Sequence, residues 1–267
     1  MSGRAGLIRY DSIIIGAGHN GLVCAAYLAK AGQKVLVVEA SAVAGGLAST
    51  REFYPGFSAS VAHTASHFSS KVLDDLDLVG HGLGLSDAGL PLIGLGANGD
   101  HVSIFDDEVR GVASRDAQQF RNYSDQLGRF ASALAPFWMK TMPRIGDNTL
   151  GELLTFAQLG IKLRMLGKED MREFMRVATL PMRDLMEENF DNELLKATLS
   201  WDGLAGAKLA PRSRNNAVFA LLYQRFDEAS ARHVIPANGM AGLVDALVAA
   251  ARAAGAEVRC KAPVARI

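Results

Sequence analysis

The chain has 267 residues, of which 49% are hydrophobic and 21% are charged. A chain of this length buries about 70–75% of its extended surface on folding, which suits one large domain or two small ones and excludes a disordered or fibrous protein. Its 28 Lys and Arg residues balance its 28 Asp and Glu residues. Zero net charge creates no overall field that attracts phosphate backbones or anionic lipid, so we expect no nucleic-acid partner.

The cysteines and the absence of long apolar runs favour a cytoplasmic protein. Cys24 and Cys260 lie far apart in apolar segments, which predicts buried free thiols in a reducing compartment and no zinc site. No apolar run reaches the roughly 18 residues that a bilayer span needs. Residues 1–10 have too short an apolar core for a signal peptide. We expect a cytoplasmic protein that contacts a membrane at most peripherally.

The first forty residues predict a strand, a helix and a second strand. Ser12–Ile15 is a short β-branched run, residues 19–31 form an Ala-rich segment of helical length, and residues 34–39 form a second buried strand. Such a unit closes with a right-handed crossover in nearly every known sheet. The N-terminal part is therefore predicted to be an α/β fold built on a parallel sheet.

The turn after the first strand carries the G-x-G-x-x-G pattern of dinucleotide-binding proteins. Gly16 permits a tight turn, Gly18 lacks the Cβ that would obstruct a pyrophosphate, and Gly21 lets the helix pack closely on the strands. The helix N-terminus adds unpaired N–H groups and partial positive charge. His19 and Asn20 occupy the variable positions beside the cofactor.

Glu39 ends the second predicted strand at the distance from the turn where a carboxylate accepts hydrogen bonds from a ribose diol. An acidic residue here disfavours a 2′-phosphate, so NADP is not expected, whereas FAD and NAD both remain. A second glycine pair, Gly45 and Gly46, distinguishes between FAD and NAD. Backbone without Cβ so near the pyrophosphate indicates another close approach to the cofactor and favours FAD. An NAD-binding dehydrogenase is the alternative.

At these motifs the chain resembles the superfamily of FAD-dependent amine oxidases and phytoene desaturases, most closely its phytoene dehydrogenase-like branch. The matching segments are GAGHNGLVCAAYLAKAG (16–32), VLVVEA (35–40), AGGLAST (44–50), YPGFSAS (54–60), ELLKATLSWDGLAG (193–206), PRSRNNA (211–217) and the stretch 235–267. The resemblance implies an α/β fold with a Rossmann-type, GR2-like FAD-binding domain and an inserted, mostly helical substrate or cap subdomain. The cofactor contacts that the pattern and the resemblance together imply are Gly16, Gly18, His19, Asn20, Gly21, Glu39, Ala40, Gly45, Gly46, Leu47 and Val264.

The predicted domain organisation is an FAD-binding part at 1–70, a substrate or cap region at 71–234, and a return to the FAD-binding domain at 235–267. In the middle region, residues 90–105 predict a hairpin, and helices follow from Ser114 onward. Thr149 and Glu152 match a capping box. The last part predicts a helix at 240–254, a strand at 257–260 and the start of another at 264–267.

The middle region is also rich in methionine. Flexible apolar side chains of this kind suit a hydrophobic substrate tunnel, and ordinary core packing is the alternative interpretation. The residues concerned are Met139, Met142, Met165, Met171, Met175, Met182 and Met186.

His63 and His67 are spaced four apart, yet no third ligand completes a metal site. By resemblance His63 lies near the flavin, where it would orient substrate or exchange protons. A hydrogen-bonded structural histidine is the alternative. No Ser-His-Asp constellation or activated cysteine can be recognised from the sequence.

We therefore predict an FAD-dependent oxidoreductase that oxidises a C–C or C–N bond of a hydrophobic or amphiphilic small molecule. Family members continue well beyond the position of Ile267, so the resemblance implies the N-terminal half of such an enzyme. It is expected to be either a truncated piece or a subunit completed by a second chain that resembles the C-terminal half. A non-catalytic scaffold subunit of a flavoenzyme complex is the other interpretation.

Overall fold

The computed structural model describes residues 9–62, 65, 68–85, 89–137, 140, 146, 149–204, 208–214, 217 and 235–267. The chain divides into two compact units. The first unit combines Met1–Ala88 with Val234–Ile267, and the second is Gly89–His233.

The regular elements of the described residues are numbered here in chain order. The strands are β1 (Ser12–Ile15), β2 (Val35–Val38), β3 (Arg51–Tyr54), β4 (Phe57–Ala59), β5 (Leu92–Gly94), β6 (Val102–Phe105), β7 (Glu108–Arg110) and β8 (Glu257–Arg259). The helices are α1 (His19–Lys30), α2 (Ser70–Asp75), α3 (Ser114–Leu134), α4 (Leu150–Met165), α5 (Lys168–Val177), α6 (Met182–Asn189), α7 (Glu193–Leu204) and α8 (Gly239–Ala253).

A parallel sheet of order β1-β2-β8 organises the first unit. Its register pairs Ile13 with Leu36 and Leu36 with Glu257. The predicted strand, helix and strand are all present, and β8 joins the same sheet from the far end of the sequence. The Rossmann-type α/β prediction is confirmed.

Helices α1 and α8 pack together against this sheet. Leu22 and Ala25 of α1, Val37 of β2, and Leu247 and Ala251 of α8 are all fully buried in one core. Small alanines on both helices allow their backbones to approach closely, so the core is tightly packed with few large side chains. Segment 235–267 thereby completes the core begun by the first forty residues.

The prediction of buried thiols is wrong, because Cys24 is exposed and Cys260 only half-buried. Helix α1 turns Leu22, Ala25 and Ala26 towards the core, and a helical residue at position 24 falls on the opposite face. The apolar context of Cys24 in the sequence therefore did not indicate its burial.

The predicted domain boundary after residue 70 differs from the observed division. Residues 71–88 belong to the first unit, because Leu76, Leu78 and Leu83 are buried in its core. The Tyr27 hydroxyl on α1 also donates a hydrogen bond of 2.6 Å to Asp75 at the end of α2. Segment 71–88 is thus part of the same folded unit as the glycine turn.

The second unit combines helices α3 to α7 with an antiparallel sheet of order β5-β6-β7. The predicted hairpin within 90–105 is present as β5 and β6, and the helices follow from Ser114 as predicted. Phe130 and Phe174 meet edge to face in its core, with ring centroids 5.5 Å apart.

Two finer predictions for the second unit need correction or qualification. Thr149 precedes α4 as its N-cap residue, but its side chain makes no capping hydrogen bond, so the capping-box prediction is wrong. Met182 and Met186 are buried in the core, whereas Met165 and Met175 are exposed. Core packing therefore accounts for the first two, and Met139 and Met142 lie outside the described residues.

The predicted strand at 264–267 is not formed, since the described backbone after β8 has no regular structure. A strand needs a neighbour to satisfy its backbone groups. Residues just before it, Lys261 and Ala262, instead donate backbone hydrogen bonds to Ser41 and Glu39. Over the described part of the chain, no helix is long and apolar enough to cross a membrane.

Asp116 offers a test of the second unit's stability. Its buried carboxylate accepts backbone hydrogen bonds from Asp191 at 3.0 Å and Asn192 at 2.8 Å, just before α7. Replacing Asp116 by Ala leaves both donors without this acceptor, so we expect a loss of about 2–4 kcal/mol in the free energy of unfolding, measured by urea denaturation. Asp125→Ala, an exposed site on the same helix, is the control, and equal losses in the two variants would contradict the assignment.

Candidate functional site

The turn between β1 and α1 is tied to the end of β2. Gly16 has a φ of +99°, and its N–H donates to the Val38 carbonyl oxygen at 2.8 Å. Helix α1 then begins at His19 with Gly18 as its N-cap residue, and its first turn contains no acidic side chain. The N–H groups at this helix end therefore face the turn with their partial positive charge uncompensated by a neighbouring carboxylate of α1.

Gly21 is required by packing. A Cβ built there lies 2.2 Å from the carbonyl oxygen of Gly16 and 3.4 Å from Cγ2 of Ile14. No side chain fits at the first distance, so the close contact between helix and strand that the sequence predicts at Gly21 is present.

Gly18 differs from Gly21, because the protein itself does not require glycine there. Its φ of −70° suits any L-residue, and a Cβ built on it meets no described atom within 4 Å. The space in front of Gly18, at the N-terminus of α1, is where a bound diphosphate makes its closest approach in folds of this kind. We call this open space in front of Gly18 the cradle. A side chain at position 18 would fill it, and as it stands it can accept the diphosphate of a dinucleotide.

The second glycine pair packs directly onto the first turn. The Gly45 N–H donates to the Ala17 carbonyl oxygen at 2.7 Å, and Gly45 pairs with Gly18 as a parallel bridge. A Cβ on Gly46 would lie 3.2 Å from the Gly18 Cα, and one on Gly45 would lie 2.9 Å from Cγ2 of Val244. Both glycines also have positive φ, so conformation and space both favour glycine.

Glu39 braces the turn from the end of β2. Its Oε2 accepts a hydrogen bond of 2.8 Å from the Ala17 N–H, and its Oε1 accepts one of 2.8 Å from the Ser41 N–H. These two bonds, that from Ser41 foremost, hold the pKa of Glu39 below its ordinary value. A carboxylate has about four acceptor positions, so the side chain retains capacity for the ribose diol that the sequence predicts.

The segment after β8 runs beside this carboxylate. Ala262 N–H donates to the Glu39 carbonyl oxygen at 2.8 Å, and Lys261 N–H donates to the Ser41 carbonyl oxygen at 2.9 Å. Lys261 adopts a φ of +54°, which turns the chain here. Sequence reasoning missed these two contacts, and only the resemblance at Val264 pointed to this neighbourhood.

The other predicted cofactor residues differ in exposure. His19 is half-buried in the first turn of α1, whereas Asn20, Ala40, Leu47 and Val264 are exposed. Their contacts with a cofactor stay predictions. His63 and His67 lie outside the described residues. Within the described ranges, no group of three or more His, Cys, Asp or Glu side chains could hold a metal ion.

The fold and the glycine turn together define a dinucleotide-binding protein of Rossmann type. The family model described as "Flavin containing amine oxidoreductase" matches residues 21–267. The chain therefore belongs to the family of flavin containing amine oxidoreductases. The predicted superfamily and its FAD cofactor are confirmed, and the NAD alternative is set aside.

Two relatives extend this assignment. Pyridine nucleotide-disulfide oxidoreductase domain-containing protein 2 of Rattus norvegicus is 30% identical over 292 residues, covering 100% of this chain and 50% of the relative. A limonene dehydrogenase subunit of Castellaniella defragrans is 36% identical over 124 residues, covering 42% of this chain and 22% of the relative. The chain thus spans about half the length of the first of these relatives.

Solved structures confirm the fold. Putrescine oxidase bound to putrescine superposes with a TM-score of 0.56 at 19% identity, over 96% of this chain and 51% of that one. Cyclohexylamine oxidase from Brevibacterium oxydans gives a TM-score of 0.53 at 17% identity, over 94% and 51%.

Replacing Gly18 by Val separates cofactor binding from folding. The Cβ position is open and φ is ordinary, so we expect the cofactor-free protein to lose no more than about 1 kcal/mol of stability. The side chain occupies the cradle, so FAD affinity should fall by roughly 100-fold or more. FAD titration and thermal melts measure the two effects. Gly21→Ala is the matched control, and it should lower the melting temperature of the cofactor-free protein because its Cβ has no space. If the Gly18→Val protein retains flavin, the assignment of the site at Gly18 is contradicted.

Glu39→Gln tests the two hydrogen bonds that the Glu39 carboxylate accepts from Ala17 and Ser41, through the pH dependence of the protein's stability. The pKa of Glu39 is lowered in the folded state. The Glu39 carboxylate therefore contributes its full stabilisation above about pH 4.3, the pKa of an unperturbed glutamate, and this stabilisation is lost as the pH falls further. We expect the variant to be less stable than the wild type by about 1–2 kcal/mol at neutral pH, with the difference shrinking towards pH 3. Urea unfolding at several pH values measures this difference in the free energy of unfolding. A difference that stays constant with pH would contradict the stabilising role of the Glu39 carboxylate.

Proposed function

We propose that this chain is the FAD-binding part of an oxidoreductase that oxidises a C–C or C–N bond of a hydrophobic or amphiphilic small molecule. The observation that carries the proposal is the open cradle at Gly18, with the second glycine pair packed along its side. Neither the backbone conformation nor the packing of the protein requires glycine at position 18. We therefore infer that glycine is present there because a bound ligand occupies the space that a side chain would fill.

The chain's own residues bind and orient the cofactor in this proposal. Backbone N–H groups of the first turn of α1 hold the diphosphate, aided by the partial positive charge of the helix end. Glu39 accepts from the ribose hydroxyls while it holds Ala17 and Ser41 in place. Since that carboxylate is already fixed by two backbone donors, little conformational entropy is lost when the ribose binds.

The chemistry itself needs few acids or bases from the protein. A bound FAD would supply the hydride acceptor for a C–H bond of the substrate. The protein's part is to hold the substrate against the cofactor and to exclude water. We therefore assign the mostly helical unit Gly89–His233 to substrate recognition and the parallel-sheet unit to the cofactor.

The hydrophobic substrate class is supported by the limonene dehydrogenase relative, which is 36% identical over 124 residues. The name of that protein gives a hydrocarbon as its substrate and describes it as one subunit of an enzyme. The solved amine oxidases are too distant in sequence to transfer their substrates.

We also propose that a second chain resembling the C-terminal half of the family completes the enzyme. In the parallel sheet, β1 exposes 60% of Ile13 and 53% of Ile15, while α1 and α8 supply the packing around Ile14, Leu22 and Leu247. Parallel sheets are normally covered on both faces. The exposure of these two isoleucines supports the proposal that the second chain covers this surface of β1.

The test produces residues 1–267 alone and together with a chain that resembles the C-terminal half. We expect a stable complex that retains FAD through gel filtration and whose flavin absorbance bleaches anaerobically with a hydrophobic alkene or amine. Ile13→Glu with Ile15→Glu should prevent complex formation. Val79→Glu with Leu95→Glu is the matched control, since those side chains are 58% and 75% exposed elsewhere.

The outcomes separate the two parts of this proposal. Flavin that binds but is reduced by no hydrophobic alkene or amine contradicts the proposed oxidation. A complex that survives the isoleucine substitutions contradicts the assignment of the β1 surface, whereas the cofactor assignment then stands on the Gly18→Val result.

A further inference from the structure

Strand β1 lies at one end of the parallel sheet, although its sequence is that of an interior strand. The sheet order is β1-β2-β8, so over the described part of the chain no strand pairs with β1 on the side away from β2. Edge strands usually carry a charged residue, a proline or a bulge that hinders further pairing. β1 has none of these and contains three isoleucines in a row, which is typical of a strand buried inside a parallel sheet.

Strand β8, at the other end of the sheet, has the composition of a true edge. Its sequence is Glu257, Val258 and Arg259. The two charged side chains are exposed and form an ion pair with each other. Charges of this kind protect a strand against further pairing. The sheet is therefore protected at β8 and unprotected at β1.

The backbone of β1 offers the groups that a further strand would bind. The N–H of Gly16, just after β1, donates to the Val38 carbonyl oxygen of β2 at 2.8 Å, and Ile14 lies on the same side in the regular register of the two strands. Successive residues of a strand turn their N–H and C=O groups to opposite sides. The backbone groups of Ile13 and Ile15 therefore point away from β2, and we call them the open edge of β1.

The open edge lies beside the dinucleotide turn. Gly16 follows β1 directly, and Gly18 then precedes α1. In open α/β sheets a dinucleotide binds at the carboxyl ends of the strands, at the point where the strand order reverses, so strands lie on both sides of the one that leads into the glycine turn. The described strands lie on one side only. The rule therefore predicts a further parallel strand on the open edge, with its carboxyl end beside the cradle.

We propose that a parallel strand of the second chain, the one resembling the C-terminal half of the family, pairs with the open edge of β1. The inference rests on the proposed function and adds the backbone contact by which the two chains join. Half of the relative from Rattus norvegicus is not covered by this chain, which is ample sequence to supply a strand.

A second copy of this chain fits the open edge less well. Two copies that join edge to edge about a two-fold axis pair their β1 strands antiparallel. The two glycine turns would then lie at opposite ends of the pair, and neither would gain the parallel neighbour that a dinucleotide site has in such sheets.

Amide hydrogen exchange tests the pairing directly. In this chain alone, we expect the N–H groups of Ile13 and Ile15 to exchange rapidly, whereas that of Ile14, which points towards β2, is protected. In the FAD-loaded complex with the second chain, exchange at Ile13 and Ile15 should slow by about 100-fold or more. Val258 is the matched control at the other edge, because the Arg259 carbonyl oxygen accepts from β2's neighbour Glu39 and the Val258 N–H points away from β2; its exchange should not change.

Two substitutions separate the backbone contact from the side-chain contact at Ile13. Ile13→Pro removes one N–H of the open edge and no hydrogen bond to β2, a position at which strands tolerate proline. Ile13→Ala removes the side chain and keeps the N–H. We expect Ile13→Pro to weaken the complex by about 100-fold and Ile13→Ala by less than about tenfold, because only proline blocks the ladder. Titration of the two chains measures the affinity, and thermal melts check that each variant is folded.

The outcomes distinguish this inference from the proposed function. A complex in which Ile13 and Ile15 stay unprotected, or is weakened equally by proline and alanine, overturns the strand pairing and leaves the FAD assignment intact. If no complex forms, the second chain of the proposed function is contradicted and the pairing with it. Analytical ultracentrifugation adds one more outcome: a dimer of this chain alone that protects the same two N–H groups would show self-pairing and overturn the inference as well.

Discussion

The contact of two glycine-containing backbone segments is the constraint on which the cofactor site depends. Gly45 hydrogen-bonds to Ala17 and pairs with Gly18, and a Cβ on Gly46 would meet the Gly18 Cα at 3.2 Å. The Glu39 carboxylate fixes the same turn through the Ala17 N–H. Because these groups are backbone atoms or rigidly held, the site is preorganised by the fold and needs few side chains of its own.

The same requirement for close approach extends into the core of the first unit. Small residues on α1 and α8, among them Ala25 and Ala251, let the two helices meet over the sheet. Cγ2 of Val244 on α8 lies beside Gly45, so a helix from the distant segment 235–267 supports the site built by the first fifty residues. Core packing and cofactor geometry are therefore coupled through α8.

The sequence predicted those parts of the fold that local patterns determine. Glycine spacing, β-branched runs and Ala-rich periodicity predicted β1, α1, β2 and the turn, because each pattern has a direct steric meaning. The second glycine pair was predicted to approach the cofactor, and its direct contact with Ala17 and Gly18 was not predicted. Most of the cofactor-site elements were thus available from residues 12–46.

The remaining features depend on tertiary contacts that the local sequence does not contain. The exposure of Cys24 depends on which face α1 buries, and the placement of residues 71–88 depends on the fit of Leu76, Leu78 and Leu83 into a distant core. The missing strand at 264–267 and the brace between Glu39 and Ala17 likewise depend on neighbours that are far apart in sequence.

The pairing of β2 with β8 has a consequence for how the chain folds. Leu36 pairs with Glu257, so the sheet closes only across a long intervening segment, and such non-local contacts form slowly. Unit Gly89–His233 lies wholly between these strands and can fold as it leaves the ribosome. The Ala-rich face of α1 stays uncovered until α8 has been made, so the cofactor-binding unit is completed later than Gly89–His233 and exposes apolar surface for longer during synthesis.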